Sequence, residues 1–383
     1  MVGVRPAILG TPESRIVEIF NYGRARQGTI PLWVGEGDQP TARFICEAAE
    51  QSLRDGQTFY TYQRGIPPLR QALADYLNTQ FRADVSDERV IVTGSGMQAL
   101  HLTAELLLDP GDEVVMVMPV WPNIAAAVTL MGGVLRPVPL RMQEGRWHLD
   151  LDELFANCGP RTKALFINSP SNPTGWVMDG EDMDRVVEFV RHRGLWLLSD
   201  EVYGRLVFDG RPQESFLSRM EPEERLIVIN SFSKNWQMTG WRVGWAVIPP
   251  SLGQLWENLV QYNTSGVAEF MQRAALVAIT QGEPLVRSIV AQCEAGRDMV
   301  VERLGAVPRV RLARPEGAFY AFFAVEGEPD SLALAKRLVD EAGVGLAPGV
   351  AFGEAGEGFQ RMCFAISPAK LAEALDRLAT ALA

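Results

Sequence analysis

The feature that most constrains the fold of this 383-residue chain is an alternation of short apolar segments with helical patterns, from about residue 90 onward. Several of the apolar segments lack a polar face, as strands buried on both faces of a sheet do. The predicted strands are 89–92, 113–118, 163–168, 195–199, 226–230 and 243–248. Helical stretches such as 97–108 and 183–192 lie between them and end at glycine-containing turns. This order predicts an α/β fold with a mostly parallel central sheet flanked by helices.

The last hundred residues follow a different pattern. A long helix over about 284–304 leads to a mixture of strands and helices: strands near 309–312, 318–325, 344–347 and 361–366, a helix near 332–342 and a final helix. This mixture predicts a smaller α+β domain over 284–383, beside a large domain over 46–283. The Gly- and Pro-rich segment 1–45 is expected to join the small domain and to contribute to contacts between subunits.

Composition excludes some classes of protein. The net charge of -11 argues against general nucleic-acid binding, which needs a basic face. No run of about 20 apolar residues is present, so we expect no membrane span. The cysteines Cys46, Cys158, Cys293 and Cys363 are scattered, and no histidine stands at metal-ligand spacing from them. We therefore expect a reduced, metal-free protein of the cytoplasm.

The strongest local motif is Ser231-Phe-Ser-Lys234, which follows a predicted buried strand and precedes Arg242. Strand ends in parallel sheets are where ligands bind. A lysine shielded from water there has a lowered pKa and acts as an amine nucleophile. A lone lysine in a polar loop is more often an ordinary surface residue. Ser231, Ser233 and Arg242 favour the functional interpretation, because these residue types anchor phosphate.

Four further motifs lie near strand ends, and each has an ordinary structural alternative. Asp200 is either a helix cap or a buried carboxylate that needs a cationic partner. Asn172 lies in a turn rich in proline and glycine, which is otherwise an ordinary loop. Trp121 follows a strand, and a tryptophan at such a position is more often part of the core. The loop around Gly96 and Met97 opens a helix, whose free N–H groups can bind phosphate.

Together and in this order, the motifs resemble those of fold type I pyridoxal-phosphate enzymes, specifically the class I/II aminotransferases of the aspartate aminotransferase family. The resemblance extends from Leu32-Trp-Val-Gly35-Glu-Gly-Asp38 to Gly358-Phe-Gln-Arg361-Met-Cys-Phe-Ala365. It implies an enzyme that moves an amino group between an L-amino acid and a 2-oxo acid by a ping-pong mechanism. The cofactor would be pyridoxal 5'-phosphate, held on Lys234 as a Schiff base, the internal aldimine.

The resemblance implies a role for each matching residue. Lys234 would shuttle the proton at the substrate α-carbon, Asp200 would pair with the pyridine nitrogen, and Tyr203 and Asn172 would donate to the ring phenolate oxygen. Arg361 would bind the substrate α-carboxylate, assisted by Asn172 and the backbone of Gly35. The other implied cofactor contacts are the backbone of Gly96 and Met97, the ring of Trp121, the hydroxyls of Ser231 and Ser233, and the guanidinium of Arg242.

The resemblance also implies a homodimer with shared active sites. Tyr60 matches the tyrosine that in this family reaches the phosphate of the neighbouring subunit. Tyr62 lies close by in the sequence and is a rival for that assignment.

Two departures from the family bear on specificity. The loop Gly35-Glu-Gly-Asp-Gln39 stands where the family often has Gly-Glu-Pro-Asp-Phe. Met97 stands where one aspartate-using subgroup has a lysine, and no second arginine for a distal carboxylate is evident. We therefore expect apolar or aromatic amino acids to be better donors than aspartate.

Two other functions compete with transamination. A carbon–sulfur β-lyase or an aminocyclopropane-carboxylate synthase-like enzyme would share the lysine, the aspartate and the arginine, so the motifs discriminate poorly between these reactions. A regulator with a ligand-sensing aminotransferase-like domain would carry an additional DNA-binding domain. The acidic net charge and the match of the first 90 or so residues to the family's own N-terminal region argue against it.

Overall fold

A computed structural model describes residues 3–383 as alternating helices and strands. The α-helices are α1 (Pro6–Leu9), α2 (Arg15–Arg24), α3 (Arg43–Arg54), α4 (Pro67–Phe81), α5 (Gly96–Leu107), α6 (Pro122–Leu130), α7 (Leu151–Ala156), α8 (Gly180–Arg193), α9 (Phe232–Asn235), α10 (Gly253–Asn263), α11 (Glu269–Gln281), α12 (Glu283–Gly305), α13 (Ser331–Ala342) and α14 (Pro368–Leu382). The strands are β1 (Ile30–Pro31), β2 (Val90–Thr93), β3 (Glu113–Met118), β4 (Val134–Pro139), β5 (Arg141–Gln143), β6 (Arg146–His148), β7 (Thr162–Asn168), β8 (Trp196–Asp200), β9 (Leu226–Ser231), β10 (Gly244–Val247), β11 (Val310–Leu312), β12 (Tyr320–Val325), β13 (Val344–Gly345), β14 (Ala347–Pro348) and β15 (Phe359–Cys363).

The central sheet contains seven strands in the order β2-β10-β9-β8-β7-β3-β4. The neighbours from β9 to β4 pair in parallel, whereas β10 is antiparallel to both β9 and β2. Successive side chains of a strand point to opposite faces, so alternate residues enter two different hydrophobic clusters: Leu165 and Ile167 of β7 join one, and Ala164 and Phe166 join the other. The predicted α/β fold with a mostly parallel sheet is confirmed.

The parallel strands bring polar residues together at one edge of this sheet. Asn168, Asp200 and Ser231 are the last residues of β7, β8 and β9, which are adjacent and parallel. The carboxyl edge of a parallel sheet is where its loops form a ligand site. The fold thus gathers three of the sequence motifs within neighbouring strands.

The C-terminal part of the chain forms a second, antiparallel sheet in the order β11-β12-β15-β14. Its buried residues pack with α12, α13 and α14 in a separate hydrophobic cluster, which agrees with the predicted α+β pattern. One predicted strand, 344–347, is wrong in detail. It consists of two short strands with different partners, because β13 pairs with β1 while β14 pairs with β15. The division into domains at residues 45 and 283 stays a prediction.

The N-terminal segment contains an element that its glycine and proline content did not predict. Helix α2 begins after Ser14, whose side chain accepts a hydrogen bond from the backbone N–H of Val17. Strand β1 then pairs in parallel with β13, at Ile30 opposite Val344. The four cysteines are all free thiols. Within residues 3–383, the helices are too short or too polar to cross a membrane.

Candidate active site

A cavity of about 360 Å³ lies at the carboxyl edge of the central sheet. It is lined by every residue predicted for the site except Tyr60. These residues are Gly35, Gly96, Met97, Trp121, Asn172, Asp200, Tyr203, Ser231, Ser233, Lys234, Arg242 and Arg361. Pockets of this size that combine apolar walls with convergent polar groups are typical of small-molecule sites.

Lys234 lies on the short helix α9, directly after β9. Its Nζ donates a hydrogen bond to the backbone oxygen of Gly35, at 2.6 Å. Burial of the amine lowers the pKa of Lys234 to about 8, because the protonated form loses hydration. At neutral pH this leaves roughly a tenth of the amine unprotonated, against well under a thousandth for an ordinary lysine. The lysine is therefore prepared to act as a nucleophile and a base.

Asp200 is a buried carboxylate that forms no salt bridge with any residue in the described part of the chain. One of its side-chain oxygens accepts a hydrogen bond from the N–H of Val202, at 3.2 Å. Burial raises the pKa of Asp200 to about 6. A buried carboxylate is stable when a cation pairs with it. The carboxylate thus provides a place for a cationic group inside the cavity.

Asn168 lines the same cavity and was given no separate role from the sequence. Its Nδ2 donates to the backbone oxygen of Asp200, at 3.0 Å, and its Oδ1 accepts from the N–H of Asn172, at 2.8 Å. Asn168 thereby links the end of β8 to the turn that carries Asn172. Its position at a strand end, between two motif residues, is the sequence feature that could have identified it.

One end of the cavity has the composition of an anion site. Gly96 and Met97 open α5, where the first N–H groups of a helix have no partner within the helix. The hydroxyl of Ser231 donates to that of Ser233, at 2.8 Å. The guanidinium of Arg242 is exposed and donates to a backbone oxygen of its own loop. Free N–H groups, hydroxyls and a guanidinium together suit a phosphate.

Gly244 allows close packing of the backbone at this end of the cavity. A Cβ at that position would lie 2.5 Å from the backbone nitrogen of Gly96 and 2.8 Å from the backbone oxygen of Asn230. Only glycine therefore allows β10 to approach the start of α5 so closely. The glycine in the sequence motif after Arg242 has a packing role rather than a contact role.

Arg361 is buried on β15 and is held by several groups. It donates through Nη1 to Oδ1 of Asn172, at 3.1 Å, and through Nη2 to the backbone oxygen of Trp33. Its guanidinium carbon lies 4.6 Å from the ring centroid of Tyr320 and 4.9 Å from that of Phe352. Its buried Nε has no hydrogen-bond partner among residues 3–383. A planar guanidinium fixed in this way, with a free donor, suits a carboxylate.

Tyr203 reaches the cavity from the turn after β8 and is nearly completely buried. Its hydroxyl lies 2.7 Å from that of Tyr320, a residue that the sequence motifs did not single out. Burial raises the pKa of Tyr203 well above its ordinary value of about 10, so its hydroxyl keeps its proton.

Part of the cavity wall is apolar. Ile16 of α2, Val34, Met97 and Trp121 contribute to it, and Glu36 adds a carboxylate that accepts a hydrogen bond from Thr239 at 2.7 Å. Arg24, Arg26 and Arg64 do not line the cavity. Arg26 pairs with Asp340 and Arg64 with Glu257, while the guanidinium of Arg24 lies near the ring of Phe20.

Tyr60 is separate from this cavity. Its side chain is 93% exposed, and Phe59, Tyr62 and Tyr262 are exposed as well. A contact of Tyr60 with the anion site of a neighbouring subunit stays a prediction.

The fold and the cavity together define a class of protein, namely fold type I α/β enzymes with a partly buried lysine at the carboxyl edge of the central sheet. The chain belongs to the aminotransferase class I and II family, whose sequence model matches residues 28–378. It is 37% identical to an aspartate aminotransferase of Thermotoga maritima over 371 residues, 96% of each chain. It is 35% identical to the aromatic-amino-acid aminotransferase 2 of Thermococcus litoralis, over 95% of this chain and 94% of the relative.

Solved structures that resemble this chain are also aminotransferases. A single mutant of the Thermus thermophilus aspartate aminotransferase has a TM-score of 0.93 and 33% identity, with 100% of both chains covered. The protein is an aminotransferase, as the resemblance implied. The β-lyase and the aminocyclopropane-carboxylate synthase-like alternative are not favoured by these relatives.

Proposed function

We propose that this aminotransferase uses pyridoxal 5'-phosphate, bound in the cavity, to transfer an amino group between an L-amino acid and a 2-oxo acid. The observation that carries the proposal is the buried Asp200, which has no ionic partner among the described residues and shares one cavity with Lys234 and an anion site. When bound, the cofactor supplies a carbonyl for the amino group and an electron-withdrawing ring that stabilises negative charge on the substrate α-carbon.

The cofactor would be held at four places. Gly96, Met97, Ser231, Ser233 and Arg242 would bind its phosphate. Asp200 would keep the ring nitrogen protonated, since the two charges neutralise each other in a buried place. Tyr203 and Asn172 would donate to the phenol oxygen, and Trp121 would cover one face of the ring.

The residues of the chain would then act on the substrate. Arg361 and Asn172 orient the α-carboxylate, and this places the α-hydrogen near Lys234. The lysine amine, with its lowered pKa, removes and returns the proton there. The apolar wall excludes water from the same space, which favours transfer of this proton over its loss to solvent.

Dependence on an acceptor tests the reaction. With a donor alone, 2-oxo acid should form once per bound cofactor and then stop. Addition of a second 2-oxo acid should restore continuous turnover. Continuous release of product without an acceptor would indicate elimination instead and would contradict the proposal.

The apolar wall predicts the preferred donors. We expect leucine, methionine, phenylalanine or alanine to have a higher kcat/KM than aspartate with one common acceptor. The distal carboxylate of aspartate would meet Ile16, Val34 and Met97, with the carboxylate of Glu36 nearby, and an unpaired charge in a partly desolvated site is costly.

A pair of variants makes this comparison sharper. Met97→Lys should raise kcat/KM for aspartate relative to leucine, whereas Met97→Leu, of similar volume, should leave the ratio nearly unchanged. Aspartate as the best donor of the wild type would refute the pocket assignment and indicate that a cation such as Arg24, Arg26 or Arg64 reaches the site from elsewhere.

We also propose that the protein is a homodimer in which Tyr60 completes the site of the other subunit. The exposed aromatic surface around Tyr60 supports this, because large exposed apolar patches mark interfaces.

Mixed dimers of a Tyr60→Phe subunit and a Lys234→Ala subunit should regain activity, since one site then has both intact residues. The measurement is activity after confirmed subunit exchange, with Tyr62→Phe in place of Tyr60→Phe as the control. No recovery after exchange would mean that each site is built within one chain.

A further inference from the structure

Tyr320 is a fully buried residue at the start of β12, and it lines the cavity. Its hydroxyl lies 2.7 Å from the hydroxyl of Tyr203. The two rings meet edge to face, with centroids 5.7 Å apart and planes at 80°. The two tyrosines therefore form one packed, hydrogen-bonded pair.

The ring of Tyr320 also supports Arg361. In the antiparallel pairing of β12 with β15, Arg361 stands opposite Phe322, two residues along from Tyr320. Such diagonal neighbours lie on the same face of a sheet and are within reach of long side chains. The guanidinium carbon lies 4.6 Å from the Tyr320 ring centroid, a cation–π distance.

The hydroxyl of Tyr320 also packs against the loop that contacts Lys234. A Cβ at position 35 would collide with this hydroxyl, so glycine is required there. The backbone oxygen of that same Gly35 accepts the hydrogen bond from Lys234. Tyr320 thus contacts Tyr203, Arg361 and Gly35, which are three separate parts of the site.

The direction of the hydroxyl–hydroxyl bond follows from the proposed function, on which this inference rests. A tyrosine hydroxyl has one proton to donate. If Tyr203 gives its proton to the phenol oxygen of the cofactor, then Tyr320 must be the donor between the two tyrosines. A hydroxyl that accepts a hydrogen bond becomes a stronger donor itself, because the bonds polarise one another.

We propose that Tyr320 is a positioning residue with two roles. Its hydroxyl donates a hydrogen bond to Tyr203, so that Tyr203 donates to the cofactor. Its ring fixes the orientation of the Arg361 guanidinium. Burial raises the pKa of both tyrosines, so both keep their protons in the pH titration that tests this proposal. The charged or titratable groups that influence the pair are Glu36, Asp200, Arg361 and Cys363, with the amine of Lys234 5.9 Å from the Tyr203 ring.

The test is a pH titration of the visible absorption band of the protein loaded with pyridoxal phosphate. Tyr320→Phe removes the hydroxyl and keeps the ring. Its band should titrate at a pH higher than the wild type by about 0.3 to 1 unit, because a weaker donor stabilises the anionic oxygen less. In a Tyr203→Phe background the same substitution should add no further shift, since it acts through Tyr203. Tyr76→Phe, a buried hydroxyl beside Arg205, is the control and should not move the midpoint.

The ring is tested separately by the KM of one donor. Tyr320→Phe should leave KM within about twofold, whereas Tyr320→Leu should raise it several-fold, since the exchange of the ring for an alkyl chain removes the cation–π contact with Arg361. An unmoved midpoint in Tyr320→Phe, or an equal shift in both backgrounds, would overturn the proposed hydrogen bond. An unchanged KM in a folded Tyr320→Leu protein would overturn the role of the ring. A wild type without a visible band would overturn the proposed function itself, and this inference with it.

Discussion

Lys234→Ala should abolish both cofactor attachment and turnover. In the wild type, borohydride treatment of the loaded protein should fix pyridoxal phosphate irreversibly on the peptide that contains Lys234. The variant should show no such adduct. Its kcat should fall by at least about 10²–10⁴-fold, the usual contribution of a positioned acid–base group, because no other amine of the described chain lines the cavity.

The physical basis of this prediction is the environment of the amine. Burial lowers the pKa of Lys234 to about 8, so the reactive, unprotonated form is accessible near neutral pH. Lys163, near the amino end of β7 and far from the carboxyl edge of the sheet, supplies the control. Lys163→Ala should keep both the adduct and the activity. Near-wild-type turnover in Lys234→Ala would remove the lysine from the mechanism.

Arg361→Ala should weaken the reaction of every amino donor to a similar extent. All donors share the α-carboxylate, and the loss of one partner of a buried charged contact typically costs about 2–5 kcal/mol. This corresponds to a loss of about 30-fold to several thousand-fold in kcat/KM. The measurement is kcat/KM for alanine, leucine and phenylalanine with one acceptor.

A graded series separates charge from geometry. Arg361→Lys keeps the charge but lacks the planar fork, so we expect an intermediate loss. Arg303→Ala removes a surface arginine that pairs with Asp376 and should have little effect. If kcat and KM are both unchanged in a folded Arg361→Ala protein, the arginine does not bind the substrate. A loss confined to one donor would mean that it contacts a side chain instead of the α-carboxylate.

The central sheet was predictable because each of its strands is marked by the apolar residues of its own short segment. Strands buried on both faces are continuously apolar, and the predicted strand 113–118 coincides with β3 (Glu113–Met118). The prediction of the C-terminal sheet was less accurate. The predicted strand 361–366 is observed as β15 (Phe359–Cys363), because β15 is defined by its pairing with β12 and β14, which no local pattern reveals.

The sequence alone determined the fold class, the family and the residues that stand at strand ends. Each of these residues follows an apolar segment directly, and parallel pairing then brings the ends of β7, β8 and β9 to one edge. The roles of Lys234 and Asp200 are those that the family resemblance implies, because each residue taken alone has an ordinary structural alternative.

The tertiary structure alone decided which other side chains complete the cavity. Ile16 arrives on a helix that composition did not predict, and Tyr320 meets Tyr203 across 117 residues of sequence. A buried tyrosine at the start of a strand looks like any core residue until the partner of its hydroxyl is known. The physical reason is that hydrogen bonds and packing depend on distances between elements, which are set by strand pairing and helix packing and not by the local sequence.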